Sequence, residues 1–152
     1  MGDTPVTRYN NLMPMFRYVD KDFFKKWGTN MAYILGIFAA DGCITVNPRG
    51  SNYIAFQSKD KDLIVYIKST MQSEHKIKVR HKEGSVTYRI QIGSLDMCND
   101  LRKLGFTESK VRTMRLPLVP RRYIGDFIRG YFDGDGNVWV GLGHKKTSSI
   151  TL

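Results

Sequence analysis

One pattern occurs twice in this chain of 152 residues and limits the folds that it can adopt. The apolar segment MAYILGIFAA ends at Asp41-Gly42, and the segment YIGDFIRGYF ends 94 residues later at Asp135-Gly136. A segment that is apolar almost all round is typical of a helix buried on most of its faces. The strand-like sequences CITV and NVWV follow the two segments. This internal repeat predicts two copies of one supersecondary unit, related by an approximate twofold axis.

Between the two apolar segments, strand and helix patterns alternate. Residues 43–58 read as a hairpin around the turn sequence PRGSN, and residues 76–92 as a second hairpin that turns at Glu83, Gly84 and Ser85. The segment DLIVYIKSTM between them has helical spacing. A further helix is predicted after the capping residue Ser94, ending at Gly105, with an inward face of Leu95, Cys98, Leu101 and Leu104. The order helix, hairpin, helix, hairpin, helix predicts an α+β fold.

The repeat divides the chain into three parts. Residues 1–28 contain an aromatic cluster without sustained periodicity, and we expect a loose N-terminal arm there that packs down late. Residues 29–119 form the first complete unit, and residues 120–152 contain the second motif helix and the start of a second unit. Because only 16 residues follow Gly136, we expect this second unit to stop inside its first hairpin.

Charge makes a polyanion the expected partner. Lysine and arginine outnumber aspartate and glutamate by 24 to 14, and the pI is near 9.7. Nucleic acid is therefore the first candidate and an anionic membrane surface the second. No apolar run approaches the roughly 20 residues that span a bilayer, and no signal sequence opens the chain, so we expect an intracellular protein. Cys43 and Cys98 have neither CxxC spacing nor a histidine pair nearby, which favours reduced core thiols over a zinc site or disulfide.

The strand pattern places cations on one face of the second hairpin. Side chains alternate along a strand, so Lys76, Lys78, Arg80 and Lys82 share a register, opposite to that of Ile77 and Val79. The ordinary interpretation is a solvated sheet face, but four cations without an acid favour DNA, whose major groove accepts a two-stranded ribbon. The predicted DNA-contacting residues on the two hairpins are Thr45, Asn47, Arg49, Asn52, Tyr53, Gln57, Lys59, Lys76, Lys78, Arg80, Lys82, Thr87, Arg89 and Gln91.

Asp41 and Asp135 are the candidate catalytic residues. A carboxylate at a helix C-terminus is disfavoured by the helix dipole, and a lone Asp-Gly is usually turn chemistry. Two copies at equivalent points of a repeat favour a functional site instead. Small residues, Gly36 and Ala40 on one helix and Gly130 and Gly134 on the other, would let the two helices pack closely. Both acids would then converge at one end, where paired carboxylates bind divalent metal and support phosphodiester hydrolysis.

The two segments resemble the signatures of a known family. ILGIFAADG at residues 34–42 and IRGYFDGDG at residues 128–136 resemble the two nine-residue motifs of single-chain LAGLIDADG homing endonucleases, and the resemblance covers roughly residues 20–152. It implies a saddle of two αββαββα halves, with the motif helices at the centre and the sheets in successive major grooves. The implied activity is site-specific hydrolysis of double-stranded DNA.

The resemblance also implies a metal site. Asp41 and Asp135 would each bind Mg²⁺, with Mn²⁺ or Ca²⁺ as substitutes for binding, and Ala40 and Gly134 would complete the metal-binding set. Asp133 is not assigned a catalytic role, because the first motif has Ala39 at that position. The family also carries a lysine or glutamine near the metals, for which the candidates lie near the end of a strand: Gln57, Ser58 and Lys59.

Two alternative functions remain open at this stage. The same scaffold supports a non-cleaving regulator or RNA-splicing maturase, in which the basic strand face matters and the acids are relics. The second alternative is an inactive fragment that forms a homodimer, or is completed by another chain, through the strand at residues 138–142.

Overall fold

The computed structural model of the chain describes residues 16–108 and 116–135, and the backbone alone of residues 139–142 and 148–151. The helices are α1 Thr29–Asp41, α2 Lys61–Thr70, α3 Leu95–Lys103 and α4 Ile124–Asp135, with a 3₁₀ turn at Arg121–Tyr123. The strands are β1 Cys43–Val46, β2 Asn52–Ser58, β3 Ile77–Lys82, β4 Ser85–Gly93, β5 Trp139–Leu142 and β6 Ser148–Thr151. The predicted α+β fold class is confirmed. Within the described residues, no helix has the length and apolarity needed to cross a membrane.

Two antiparallel hairpins join into a four-stranded sheet of order β1-β2-β4-β3. The inner strands β2 and β4 pair from Tyr53 opposite Gly93 to Ser58 opposite Tyr88. The β3–β4 turn has positive φ at both Glu83 (43°) and Gly84 (76°), as in the two-residue turns that match the twist of a hairpin. Strands β5 and β6 pair antiparallel in a separate two-stranded sheet.

The helices cover one side of the four-stranded sheet. Helix α1 is buried continuously from Met31 to Ala39, and the Phe38 ring packs edge-on against Phe56 of β2, at 5.4 Å between centroids, and against Phe106, at 5.3 Å. Cys98 of α3 is fully buried, and burial raises the pKa of its thiol to about 11. This placement agrees with the expected core thiol at Cys98. Cys43, at the start of β1, is only half-buried, so the expectation of a core position is wrong for it.

Helix α3 differs from its predicted inward face. The Ser94 hydroxyl caps the helix by accepting the Met97 N–H at 3.3 Å, and Gly105 adopts a φ of +98° beyond its end. Leu95, however, is 57% exposed, whereas Met97 is fully buried. The predicted inward position of Leu95 is therefore wrong, because the first turn of a short helix carries little periodicity.

The arm is docked along residues 16–28. Tyr18 and Glu74 are joined twice: the Tyr18 N–H donates to Glu74 Oε2 at 2.9 Å, and the Glu74 N–H donates to the Tyr18 carbonyl oxygen at 2.9 Å. Val19 and Phe24 are 5% and 3% exposed and belong to the main hydrophobic core. Residues 16–28 of the expected arm are therefore packed down on the core.

Candidate nucleic-acid interface and acidic helix ends

Helices α1 and α4 lie in backbone contact at their glycines. A Cβ on Gly36 would lie 2.1 Å from the Phe127 carbonyl oxygen, and a Cβ on Gly130 would lie 1.9 Å from the Tyr33 carbonyl oxygen. Gly36 and Gly130 are 94 residues apart, as are Tyr33 and Phe127, so the two contacts are equivalent under the 94-residue repeat. Further along, a Cβ on Gly134 would meet the Ala40 side chain at 2.6 Å. The predicted close approach through small residues is confirmed, and the helices run parallel because their contacts advance together.

Parallel packing brings the two candidate acids to the same end of the helix pair. Asp41 is the last residue of α1 and Asp135 the last residue of α4, and both are exposed. Within the described residues, no group of three or more histidine, cysteine, aspartate or glutamate side chains is placed to hold a metal ion. Among the residues that the structure describes, the acidic end therefore offers these two carboxylates without a third ligand of that kind.

Gly42 follows Asp41 for a steric reason. Its φ of −72° and ψ of 159° are an extended conformation open to any residue, and not the glycine-specific one that a helix-to-strand turn suggests. A Cβ at this position would lie 2.1 Å from Cδ2 of Phe38. The glycine is needed because the chain enters β1 directly over the Phe38 ring.

An open cavity of about 370 Å³ lies beside Asp41. Its lining includes Gln57, Ser58 and Lys59, the three residues considered as the polarising group, together with Arg89. Ser58 Oγ accepts the Asp60 N–H at 3.0 Å, just before α2 begins, whereas Gln57 and Lys59 are exposed. The fold therefore gathers one acid, one amide and two cations around one cavity.

The side of the sheet opposite the helices forms what we call the cationic face. Antiparallel partners share a face, so Lys78 lies with Arg89, and Arg89 with Gln57 across the next strand. Its strand members include no aspartate or glutamate and are Cys43, Thr45, Tyr53, Ala55, Gln57, Lys78, Arg80, Lys82, Ser85, Thr87, Arg89, Gln91 and Gly93. Lys76 is exposed just before β3.

Arg89 has an unused donor in the middle of this face. Its side chain is half-buried, and the Nε atom is buried without a hydrogen-bond partner within the described part of the chain. A buried guanidinium N–H without an acceptor is costly. An acceptor brought by a ligand at the adjoining cavity would relieve that cost.

Two predicted contact residues have local structural roles. Asn47 Oδ1 accepts the N–H groups of Arg49 (3.1 Å) and Ser51 (2.8 Å), which holds the β1–β2 turn. Asn52 lies on the helix side of the sheet, where its Oδ1 accepts from Arg102 Nη2 at 2.6 Å and its Nδ2 donates to the Gly50 carbonyl oxygen. The assignment of Asn52 to DNA contact is therefore dropped, because both ends of its amide are engaged inside the protein. Arg49 is exposed in the turn.

Sequence reasoning missed a polar link between the paired helices. The Tyr33 hydroxyl of α1 donates to Asp133 Oδ2 of α4 at 2.6 Å, and the Arg129 guanidinium lies 4.6 Å from the centroid of the Tyr33 ring. Burial, followed by the hydrogen bond to Asp133, raises the pKa of Tyr33 to about 12. The available signal was the difference between the motifs, with Asp133 where the first motif has Ala39.

The four-stranded sheet and the pair of helices α1 and α4, packed through their glycines, define an α+β domain with a central helix pair. Comparison with known proteins identifies the family of this domain. Residues 28–104 match the model of the LAGLIDADG-like domain, from the N-cap of α1 to the C-cap of α3. This match spans half of the chain, and the protein belongs to that family. No match was found among curated proteins.

Among solved structures, a similar one is the LAGLIDADG homing endonuclease I-LtrWI, crystallised bound to target DNA. The sequence identity is 15% and the TM-score 0.48, and the match covers 86% of this chain and 65% of that one. The chain thus matches just under two thirds of that protein's length.

The predicted association strand is described only in part. Residue 138 lies outside the described residues, and the backbone alone is described for β5. Association through residues 138–142 stays a prediction.

Proposed function

We propose that the chain acts as a site-specific endonuclease on double-stranded DNA, with divalent metal held at the acidic end of the helix pair. One observation carries this proposal: a single cavity connects the acidic end to the cationic face, whose strand residues include no aspartate or glutamate. Asp41 and Arg89 both line this cavity, so a phosphodiester bound against the face would lie close to a carboxylate.

The cationic face suits duplex DNA better than a membrane surface. Besides its cations it presents Gln57, Thr87 and Gln91, whose amide and hydroxyl groups can hydrogen-bond to base edges. An anionic bilayer would be favoured by exposed apolar side chains between the cations. The strand residues that alternate with the cations instead lie on the other side of the sheet, where Ile90 and Ile92 are fully buried.

The acidic end suits Mg²⁺ in its donor chemistry. Mg²⁺ commonly binds one or two carboxylates and completes its shell with water and substrate phosphate, and Asp41 and Asp135 supply two exposed carboxylates. Ala40 and Gly134, which precede them, complete the proposed metal-binding set. When bound, the metal would polarise the scissile phosphate and lower the pKa of attacking water. Lys59 or Gln57, which line the same cavity as Asp41, would orient that water.

The test compares acid variants on one substrate. A duplex selected by the unmodified chain from a randomised pool is incubated with Mg²⁺ or Ca²⁺, and nicking and binding are measured separately. We expect Asp41→Asn and Asp135→Asn each to reduce nicking at least 100-fold while binding in Ca²⁺ changes little, since loss of a metal-binding carboxylate removes transition-state stabilisation. Asp126→Asn, on α4 but at its other end, is the matched control and should nick normally.

Two results would redirect the proposal. Undiminished nicking by both acid variants would show that these carboxylates do not hold the catalytic metal. Metal-independent binding with no nicking by any form, including the unmodified chain, would favour the non-cleaving DNA- or RNA-binding alternative. The cationic face itself is probed by Lys78→Ala, with Lys61→Ala on α2, on the helix side of the sheet, as its control.

A further inference from the structure

A second open groove, of about 730 Å³, lies at the end of the sheet away from Asp41. Strand β1 begins beside Asp41, so the β1–β2 turn marks the opposite end of the sheet. The groove is lined there by that turn, by the start of α3 and by the docked arm, which contributes Arg17 and Lys21. We call it the outer groove.

The outer groove has a rigid wall that carries positive charge. Arg17 and Lys21 flank Val19, whose side chain is in the core, and the backbone between them is fixed by the paired bonds of Tyr18 and Glu74. The Asp20 N–H adds a bond to the Met71 carbonyl oxygen at 3.1 Å. The backbone that carries the two cations is therefore fixed before any ligand arrives, which reduces the entropy lost on binding.

The outer groove is continuous with the cationic face. Tyr53 and Gly93 line the groove, and as register partners they also belong to that face. The Tyr53 ring covers Gly93 closely, since a Cβ there would lie 3.2 Å from Tyr53 Cε1. One carboxylate, Asp96, lines the groove, in the first turn of α3 where it complements the helix dipole. The arm therefore extends the cationic face around the end of the sheet.

We propose that the outer groove holds the sugar-phosphate backbone of the same DNA duplex, with Arg17 and Lys21 pairing with phosphates at the end of the footprint. A ribbon in the major groove is flanked by phosphates, so cations at the end of the sheet meet the backbone and not the base edges. This inference rests on the proposed function, since it requires that the cationic face bind DNA. The exposed apolar side chains of Phe16 and Leu95 also line the groove and would suit a peptide. Arg17 and Lys21 nevertheless continue the charge of the cationic face, which favours DNA.

The test compares two double variants that remove the same charge. Arg17→Ala with Lys21→Ala removes the groove cations, and Lys26→Ala with Lys61→Ala removes two exposed cations that do not line it. Binding to the selected duplex is measured over a salt series, and hydroxyl-radical footprinting maps the protected sugars. The folding of every form is checked by circular dichroism, and Arg17→Lys with Lys21→Arg tests rescue.

If the groove binds phosphate, the variant Arg17→Ala with Lys21→Ala should make the fall of log affinity with log salt less steep. The magnitude of the slope should decrease by roughly 1.8, as for two lost phosphate contacts. Protection should disappear from the outermost nucleotides at one end, and the charge-conserving pair should restore it. The control pair should keep the full footprint.

The outcomes separate this inference from the proposed function. If the unmodified chain binds DNA and the variant Arg17→Ala with Lys21→Ala shows the same salt slope and footprint, the outer groove does not hold DNA. A different partner, such as a peptide, then becomes the better occupant. Equal losses in both pairs would show a general charge effect and would also overturn the inference. If the unmodified chain binds no duplex at all, the proposed function fails first.

Discussion

At the scale of single residues, the hydrogen bond from Tyr33 to Asp133 links α1 to α4, and the pKa of Tyr33 reports on that contact. The folded chain raises the pKa of Tyr33 from 10.0 to about 12, so it holds the phenolic proton more tightly than the unfolded chain does. The resulting stabilisation is complete below pH 10 and is lost as the pH rises through about 12. Alkaline unfolding should therefore begin in this window.

Replacing Asp133 should lower the pKa of Tyr33. Asp133→Asn removes both the charge and the ionic acceptor, but burial, the largest cause of the shift, remains, so the value should fall and stay above 10.0. The measurement is tyrosinate absorbance against pH, with the matching Tyr33→Phe curve subtracted in each background. Asp126→Asn is the control of equal charge. An unchanged Tyr33 pKa in Asp133→Asn would contradict the observed bond.

Individual side-chain roles were the least predictable from the sequence. The position of Asn52 on the first hairpin predicts a DNA contact, but its amide is bound by Arg102, which is 50 residues away in the chain. The docking of the arm depends similarly on Tyr18 and Glu74, which are 56 residues apart. Such pairings are set by the tertiary fold, which local patterns do not encode.

At the scale of elements, the α1–α4 contact depends on Gly130. Gly130→Ala would place a Cβ 1.9 Å from the Tyr33 carbonyl oxygen, which is backbone and cannot rotate away. We expect the free energy of unfolding to fall by at least about 2 kcal/mol, because overpacking forces the helices apart. Denaturant unfolding followed by circular dichroism measures the change.

Gly125 provides the matched control on the same helix. Among the described residues, nothing lies within 4 Å of a Cβ built on it. Gly125→Ala should therefore stabilise the chain by about 0.5 kcal/mol through helix propensity. Equal effects at the two positions would show that the close approach at Gly130 is not a determinant of stability.

Most elements could be predicted because their determinants are local. Alternation along β3 and β4 predicts a hairpin and its two faces, although Ser85, which is expected in the turn, begins β4 opposite Lys82. A buried helix before Asp41 follows from an apolar run. The parallel contact of α1 with α4 followed from the repeat and its small residues. The reason for Gly42 did not, because it depends on the position of the Phe38 ring.

At the scale of the whole molecule, the arm, the sheet and α4 share one hydrophobic core. The buried cluster includes Phe24 of the arm and Phe127 of α4, and the Trp27 ring stacks on Tyr123 at 6.3 Å and 13°. A chain with one such core is expected to unfold cooperatively. The sequence contains two tryptophans, and Trp27 reports directly on the contact of the arm with the start of α4.

A Trp139→Phe variant leaves Trp27 as the sole fluorescent indole. We expect its emission and the far-ultraviolet circular dichroism to change at the same denaturant concentration, because the arm and α4 cannot separate without exposing the shared core. Tyr123→Ala removes the stacking partner and should move both curves together to lower denaturant. An earlier transition at Trp27, with the sheet signal intact, would mean that the arm and α4 form a separate, weaker unit. In that case the acids at the ends of α1 and α4 would be held together only when DNA or metal supplies the missing stabilisation.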